Sequence, residues 1–188
     1  MRPEHVAFLS SERWATMLRR DLLPWLLDEL TLGDDVLEIG PGPGLTTELL
    51  RGLAPQVTAV ELDPSLARPL RARMAGSNVV VIENDAKHTG FAHGRFSAVA
   101  CFHVLHHVPT AAEQDALLVE AARVLRPGGA LLCVDAVEHE DVRKAHQLQG
   151  ETFLPLDPAT VVERLRRAGF QAVQLKAAGY QLLIRATR

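Results

Sequence analysis

Between residues 11 and 30 the apolar side chains Trp14, Met17, Leu18, Leu22, Trp25, Leu26 and Leu30 recur at the three- and four-residue spacing that lines one face of a helix. Pro24 has no amide to donate to a helix interior, so the stretch reads as two short helices broken there, within a helical N-terminal segment over residues 8–32. The pattern then changes to short runs rich in β-branched and apolar residues at 35–39, 57–61 and 79–82. Helical patterns at 45–53 and 65–74 separate them, and helices follow strands, which predicts βαβ units and a parallel sheet. Asp63-Pro64 and Val108-Pro109 place proline in a first helical turn, opening helices over 65–74 and 110–125. Strands follow at 96–102 and 129–135, then a helix opened by Asp157-Pro158 and closed near Gly169. The last two strands, 170–176 and 180–186, have only Ala177-Ala178-Gly179 between them, too short for a crossover helix and right for a hairpin, so the sheet should end antiparallel. Residues 138–155 carry the least pattern and read as an irregular loop or a short covering helix.

Length adds that 188 residues suit one domain, 1–188, with a sizeable core. With 47% apolar and 23% charged residues the composition is that of an ordinary globular chain. A formal charge of −3 offers no bulk attraction to polyanions, so nucleic acid is not an expected partner. No apolar run approaches the ~20 residues that span a bilayer. Residues 1–5 lead directly into a polar amphipathic stretch without a secretory hydrophobic core, so a cytoplasmic location is expected. Cys101 and Cys133 sit in apolar strand-like runs and are expected to be buried, reduced thiols. Nothing in the sequence specifies an oligomeric state.

In an open parallel sheet, ligands bind beyond the carboxyl ends of the strands, where the strand order reverses. The first strand delivers Glu38-Ile39-Gly40-Pro41-Gly42-Pro43-Gly44 to that edge, three glycines where the backbone must turn tightly and approach a ligand closely. A dinucleotide fingerprint would put its third glycine where Leu45 stands, which argues against a nicotinamide-dependent reductase. Glu61 ends the second strand, where a carboxylate accepts hydrogen bonds from the two hydroxyls of a ribose. Asp85, just past the third strand, is suited to accept from an exocyclic amine such as that of adenine.

Val36 to Gly44, Val60-Glu61-Leu62-Asp63, Asn84-Asp85-Ala86, Val104-Leu105-His106-His107-Val108 and Leu125-Arg126-Pro127-Gly128-Gly129 together resemble the ordered motifs of class I S-adenosylmethionine-dependent methyltransferases. The resemblance covers about residues 35–135 and implies a doubly wound, Rossmann-like α/β fold: a seven-stranded mixed sheet, last strand antiparallel, helices on both faces. It also implies S-adenosylmethionine as cofactor and S-adenosylhomocysteine as product. Glu38 would orient the methionine ammonium directly or through water, with Gly40, Gly42 and Gly44 forming the turn beside it. Glu61 would hold the ribose, Leu62 would cover one face of the adenine, and Asp85 and the Ala86 backbone would meet its edge. The backbone near Phe102 and His103 would touch the methionine part. Ser97 departs from the aspartate that the family commonly carries after the aromatic of its fourth strand, which puts a supporting contact in question.

The first three motifs also resemble those of rRNA adenine dimethyltransferases, but residues 101–106 read Cys-Phe-His-Val-Leu-His instead of the Asn-(Leu/Ile)-Pro-(Tyr/Phe) segment that holds a flipped base there. A small-molecule acceptor is therefore the main expectation. An RNA base methyltransferase and a non-catalytic S-adenosylmethionine-binding subunit are the alternatives. Methyl transfer from a sulfonium is an in-line displacement, for which positioning and exclusion of water do most of the work. For an acidic acceptor a base would help, and of His103, His106 and His107 the candidate is His106, although packing roles serve as well for His106 and His107. No carboxylate or cysteine falls at a spacing that would support a metal on those histidines, so no metal is expected. The N-terminal segment around Trp14, Met17 and Trp25 has two open roles, a lid over the cofactor cleft or plain packing on the sheet.

Overall fold

The structure, a computed structural model, describes residues 3–28 and 30–188. Glu29, inside the expected helical segment, and Met1 and Arg2, inside the expected domain, lie outside the described residues. Seven strands, β1 (Asp35–Ile39), β2 (Gln56–Glu61), β3 (Val79–Glu83), β4 (Phe96–Phe102), β5 (Leu125–Ala136), β6 (Gln171–Ala178) and β7 (Gln181–Thr187), form one sheet in the order β3-β2-β1-β4-β5-β7-β6. All pairs from β3 to β5 are parallel, while β7 runs antiparallel to both β5 and β6. The expected hairpin is the β6–β7 pair, and the sheet has the doubly wound order with its reversal between β1 and β4.

Two cores cover the two faces, and the strands feed them alternately. Ala98, Ala100 and Phe102 of β4 enter one, with Trp14, Leu22, Leu50 and Leu70. Val99 and Cys101 enter the other, with Leu117, Leu165 and Phe170. Burial on both faces is why these strands read as continuous apolar runs and not as an alternation. Cys101 and Cys133 are buried neighbours in register, each a free thiol.

Helices α1 (Pro3–Leu9), α2 (Glu12–Met17), α3 (Leu23–Leu26), α4 (Leu45–Leu50), α5 (Pro64–Arg73), α6 (Ala111–Val124), α7 (Glu140–Gln149) and α8 (Val161–Ala168) complete the fold. Two details correct the sequence reading, at Pro24 and after Pro158, and two complete it. Pro24 does not break the N-terminal helix; a π-helical turn, Leu18–Leu22, widens the run just ahead of it, and Leu23 N–H reaches back to Leu18. No helix follows β3: residues 84–95 are turns pinned by Asn84, whose Nδ2 donates to the Thr89 carbonyl at 3.0 Å, and by Glu120, whose Oε1 accepts from Thr89 N at 2.9 Å. The helix after Pro158 starts three residues later, because Asp157 closes a turn first, its Oδ1 accepting from Ala159 N. Residues 138–155, read as loop or short helix, contain α7, stopped by Gly150 in the left-handed region at φ 65°.

Ser97, where the family commonly carries aspartate, makes supporting contacts of its own. Its Oγ donates to the Leu32 carbonyl at 2.6 Å and accepts from Asp35 N at 3.0 Å, tying the start of β4 to the turn before β1.

Candidate functional site

At the carboxyl ends of β1, β2 and β4 lies a cavity of about 400 Å³, lined among others by Gly40, Glu61, Leu62, Asp85, Ala86 and His103. It sits at the strand-order reversal, and its size falls in the range that holds one cofactor-sized molecule. Six of the ten cofactor residues expected from the sequence share this wall. Glu38 and Phe102 instead line an adjoining pocket of about 20 Å³ that Gly40 and His103 border from the other side. Gly42 and Gly44 line neither and shape the turn.

The turn explains its glycines. Gly40 has φ 64°, and a Cβ there would stand 2.5 Å from Val104 Cγ2, so both conformation and space exclude a side chain. Gly44, at φ 86°, lies against Leu70 of α5, where a Cβ would come within 2.2 Å of Cδ1. Glu61 braces the turn from the next strand: Oε2 accepts from Gly42 N and Oε1 from Asp63 N, both at 2.9 Å. Each carboxylate oxygen retains a second lone pair, so the same group can accept from ligand hydroxyls. Asp63 N-caps α5 by accepting from Ser65 N at 2.9 Å, which carries the chain away from the cavity and leaves Leu62, 68% exposed, at its rim.

Asp85 is positioned by the loop that follows β3. Asn84 Oδ1 accepts from Asp85 N, and Asp85 Oδ1 accepts from Lys87 N, each at 2.9 Å. Lys87 Nζ is 3.7 Å from Asp85 Oδ2 and 2.9 Å from Glu113 Oε1. Glu38 is buried and accepts from Thr47 Oγ1 at 2.6 Å. Burial, reinforced by the charge of Glu61, pushes its carboxyl up to about 8, so near neutrality it holds its proton.

His103 links the cavities. It lies at φ 57°, an uncommon region for a residue with a Cβ, fixed by its N–H donating to the Val134 carbonyl at 2.7 Å. Gln181 Nε2 lies 2.9 Å from its Nε2, and Trp14 meets its ring edge-on at 5.0 Å. Trp14 itself is core, while Phe8 and Leu9 of α1 line a third cavity of about 360 Å³ with His103, His106, His139 and Tyr180. The N-terminal segment therefore both packs on the sheet and walls a cavity next to the first.

His106 stands in the 3₁₀ turn Leu105–His107 that ends the β4 connection, almost wholly buried. Its Nδ1 is 2.6 Å from Oδ1 of Asp135 at the end of β5. That carboxylate also accepts from the N–H groups of Val104, Leu105, His106 and Ala136 at 2.7–3.2 Å. Burial alone would raise the Asp135 pKa, but His106, His103 and the Ala136 amide outweigh it and hold the group at about 2. An ionised carboxylate only accepts, so His106 Nδ1 is the donor. The supporting carboxylate that local spacing lacked thus comes from 29 residues away. His146, to which the sequence reading assigned no role, joins His106 and His107 by way of α7, with ring centroids 5.1 and 5.3 Å from theirs. The helix was legible in retrospect: acids in the first turn, a Glu140–Lys144 pair one turn apart, and Gly150 at the stop.

A family profile described as "Methyltransferase domain" matches residues 37–133, just over half of the chain. A ubiquinone biosynthesis O-methyltransferase of Xanthomonas oryzae pv. oryzae is 36% identical over 102 residues, 53% of this chain and 41% of that protein. Its counterpart in Xanthomonas axonopodis pv. citri is 29% identical over 168 residues, 79% of this chain and 67% of that protein. In the first of these matches the chain spans about two fifths of the curated relative's length. Among solved structures, an S-adenosylmethionine-dependent methyltransferase from Aquifex aeolicus has the same fold, with TM-score 0.75 at 18% identity, covering 100% of this chain and 98% of the other.

Proposed function

The chain belongs to the methyltransferase-domain family, and from that premise we propose that it transfers a methyl group from S-adenosylmethionine to an oxygen of a small-molecule acceptor. The observation that carries this reading is the cavity at the strand-order reversal, where Gly40 of the glycine turn, Glu61 and Asp85 meet on one wall. These residues fit an adenosine-bearing ligand: two carboxylates for the ribose hydroxyls and the adenine amine, with Leu62 and Ala86 as apolar cover. The cofactor supplies a methyl carbon on a sulfonium, which departs as a neutral thioether. The chain's part is to orient, desolvate and align, the acceptor oxygen approaching opposite the departing sulfur at roughly 3 Å from the methyl carbon. Glu38, which holds its proton near neutrality, would release it to solvent on pairing with an ammonium group brought in through the small pocket beside Gly40. The third cavity adjoins the first through His103 and is the space assigned to the acceptor. The relatives named for ubiquinone biosynthesis O-methylation support an oxygen nucleophile as the first class to screen.

The test is calorimetric titration with S-adenosylhomocysteine of the wild type, Glu61→Ala and Asp85→Ala. Micromolar binding that weakens by about tenfold or more in both variants supports the reading, since each loses charge-assisted hydrogen bonds. A folded wild type that does not bind overturns it. Labelled methyl transfer to a panel of hydroxylated aromatic compounds then tests the acceptor class.

A further inference from the structure

We propose that His106, His107 and His146 form a binding site for one zinc-class divalent metal ion at the seam between the cofactor cleft and the third cavity. One ring nitrogen from each lies within 4.8 Å of the other two. His107 borders the first cavity, and His106 and His146 border the third. A set of three imidazoles with an open fourth position is the donor set that zinc and its neighbours take in non-structural sites.

The orientation of the rings supports more than proximity. His106 Nδ1 is committed to the Asp135 carboxylate at 2.6 Å, and His146 Nδ1 lies 2.8 Å from the Val142 carbonyl. Both partners only accept, so Nδ1 of each ring carries a hydrogen, and a metal ion would meet Nε2 once the ring has shed any second proton. Carboxylate and carbonyl partners of this kind are those that fix metal-ligating histidines and raise their basicity. Asp135, fully buried, places a negative charge directly behind the ligand set and favours a cation. The ring of Phe153, centred 4.6 Å from His146 and 5.8 Å from His106, adds an apolar wall that limits the dielectric around the site. Tetrahedral bonds of about 2.05 Å put ligand nitrogens roughly 3.3 Å apart, so binding draws the rings inward by up to about 1.5 Å. In this arrangement His106 is a ligand in place of the general base suggested by the sequence, and the ion's open position would polarise an acceptor hydroxyl instead.

The site is tested without cofactor or acceptor, so its failure is separate from that of the methyltransferase reading. Tag-free protein, stripped with a chelator and dialysed, is titrated with Zn²⁺ by calorimetry and with Co²⁺ by visible absorption. One equivalent per chain, with the intense d–d bands of four-coordinate cobalt, is the expected result. His146→Ala and His107→Ala should each weaken binding by at least ~10-fold, and His93→Ala, an exposed histidine outside the cluster, should leave it unchanged. Should an alanine variant lose its circular dichroism spectrum, His146→Gln, close in volume, replaces it. Absence of Zn²⁺ and Co²⁺ binding by the folded wild type overturns the proposal, as does binding that persists unchanged in the histidine-cluster variants.

Discussion

Glu38 is a single residue whose environment makes a measurable claim. Its carboxyl titrates near 4.5 in an unfolded chain and near 8 in the fold, burial being the main cause. Between those values the folded state binds the extra proton, so stability is fully present below about pH 4.5 and declines as pH rises through 8. Glu38→Gln keeps an acceptor for Thr47 and removes the titration. The expected outcome is a variant that equals the wild type in denaturant midpoint near pH 5 and exceeds it near pH 8, by a few kcal/mol at most. A constant difference across that range would refute the assignment. Gly40 makes the steric counterpart of this argument. Gly40→Ala places a Cβ at 2.5 Å from Val104 Cγ2 with φ 64° and should cost roughly 2–4 kcal/mol, read from urea unfolding.

Among the elements, the junction of β5 with the 3₁₀ turn depends on one side chain. Asp135 ends β5 and accepts from three consecutive amides of residues 104–106, which gives the turn after β4 its fixed geometry. Asp135→Ala leaves those buried donors without an acceptor and should destabilise the protein by about 3–5 kcal/mol. Asp135→Asn, which keeps one acceptor oxygen, should recover part of the loss. Equal stability of the two variants would mean that water replaces the carboxylate. The connection from β3 to β4 illustrates a different balance. Its residues 84–95 hold glycines at 90 and 94 in the left-handed region, and Glu120 of α6 accepts from the Thr89 N–H. Propensity therefore opposes a helix there, and the sheet alone requires only that the chain cross two strands.

At the scale of the molecule, the N-terminal helices are fastened to the far side of the sheet by Arg185 of β7. Its Nη1 donates to the Trp25 carbonyl at 2.9 Å and to the Asp28 carbonyl, and its guanidinium stacks 4.8 Å from the Trp25 ring. Because Phe8 and Leu9 wall the third cavity, this fastening also shapes the space assigned to the acceptor. Arg185→Met keeps the aliphatic stem and loses every one of these donors. Amide exchange over residues 8–28 should quicken while that of β1 and β4 stays slow. Uniform loss of protection would instead mean that Arg185 supports the whole core and not the segment.

What the sequence determined alone was what depends on neighbours in the chain. The periodicities placed all seven strands, the terminal hairpin and most helices, because apolar spacing and proline and glycine punctuation act within a few residues. The positions of the glycine turn, Glu61, Leu62, Asp85 and Ala86 were legible for the same reason: each ends or closely follows a strand whose place follows from its pattern, and parallel pairing brings those ends to one edge. The π-helical turn ahead of Pro24 was not legible, since it turns on how Leu18 and Leu22 enter the core. Nor was the union of His106 with Asp135, or of His106 with His146 on α7. Residues 29 and 40 positions apart meet only when β4 and β5 pair and α7 folds back over their ends, an outcome of long-range packing that no local spacing encodes.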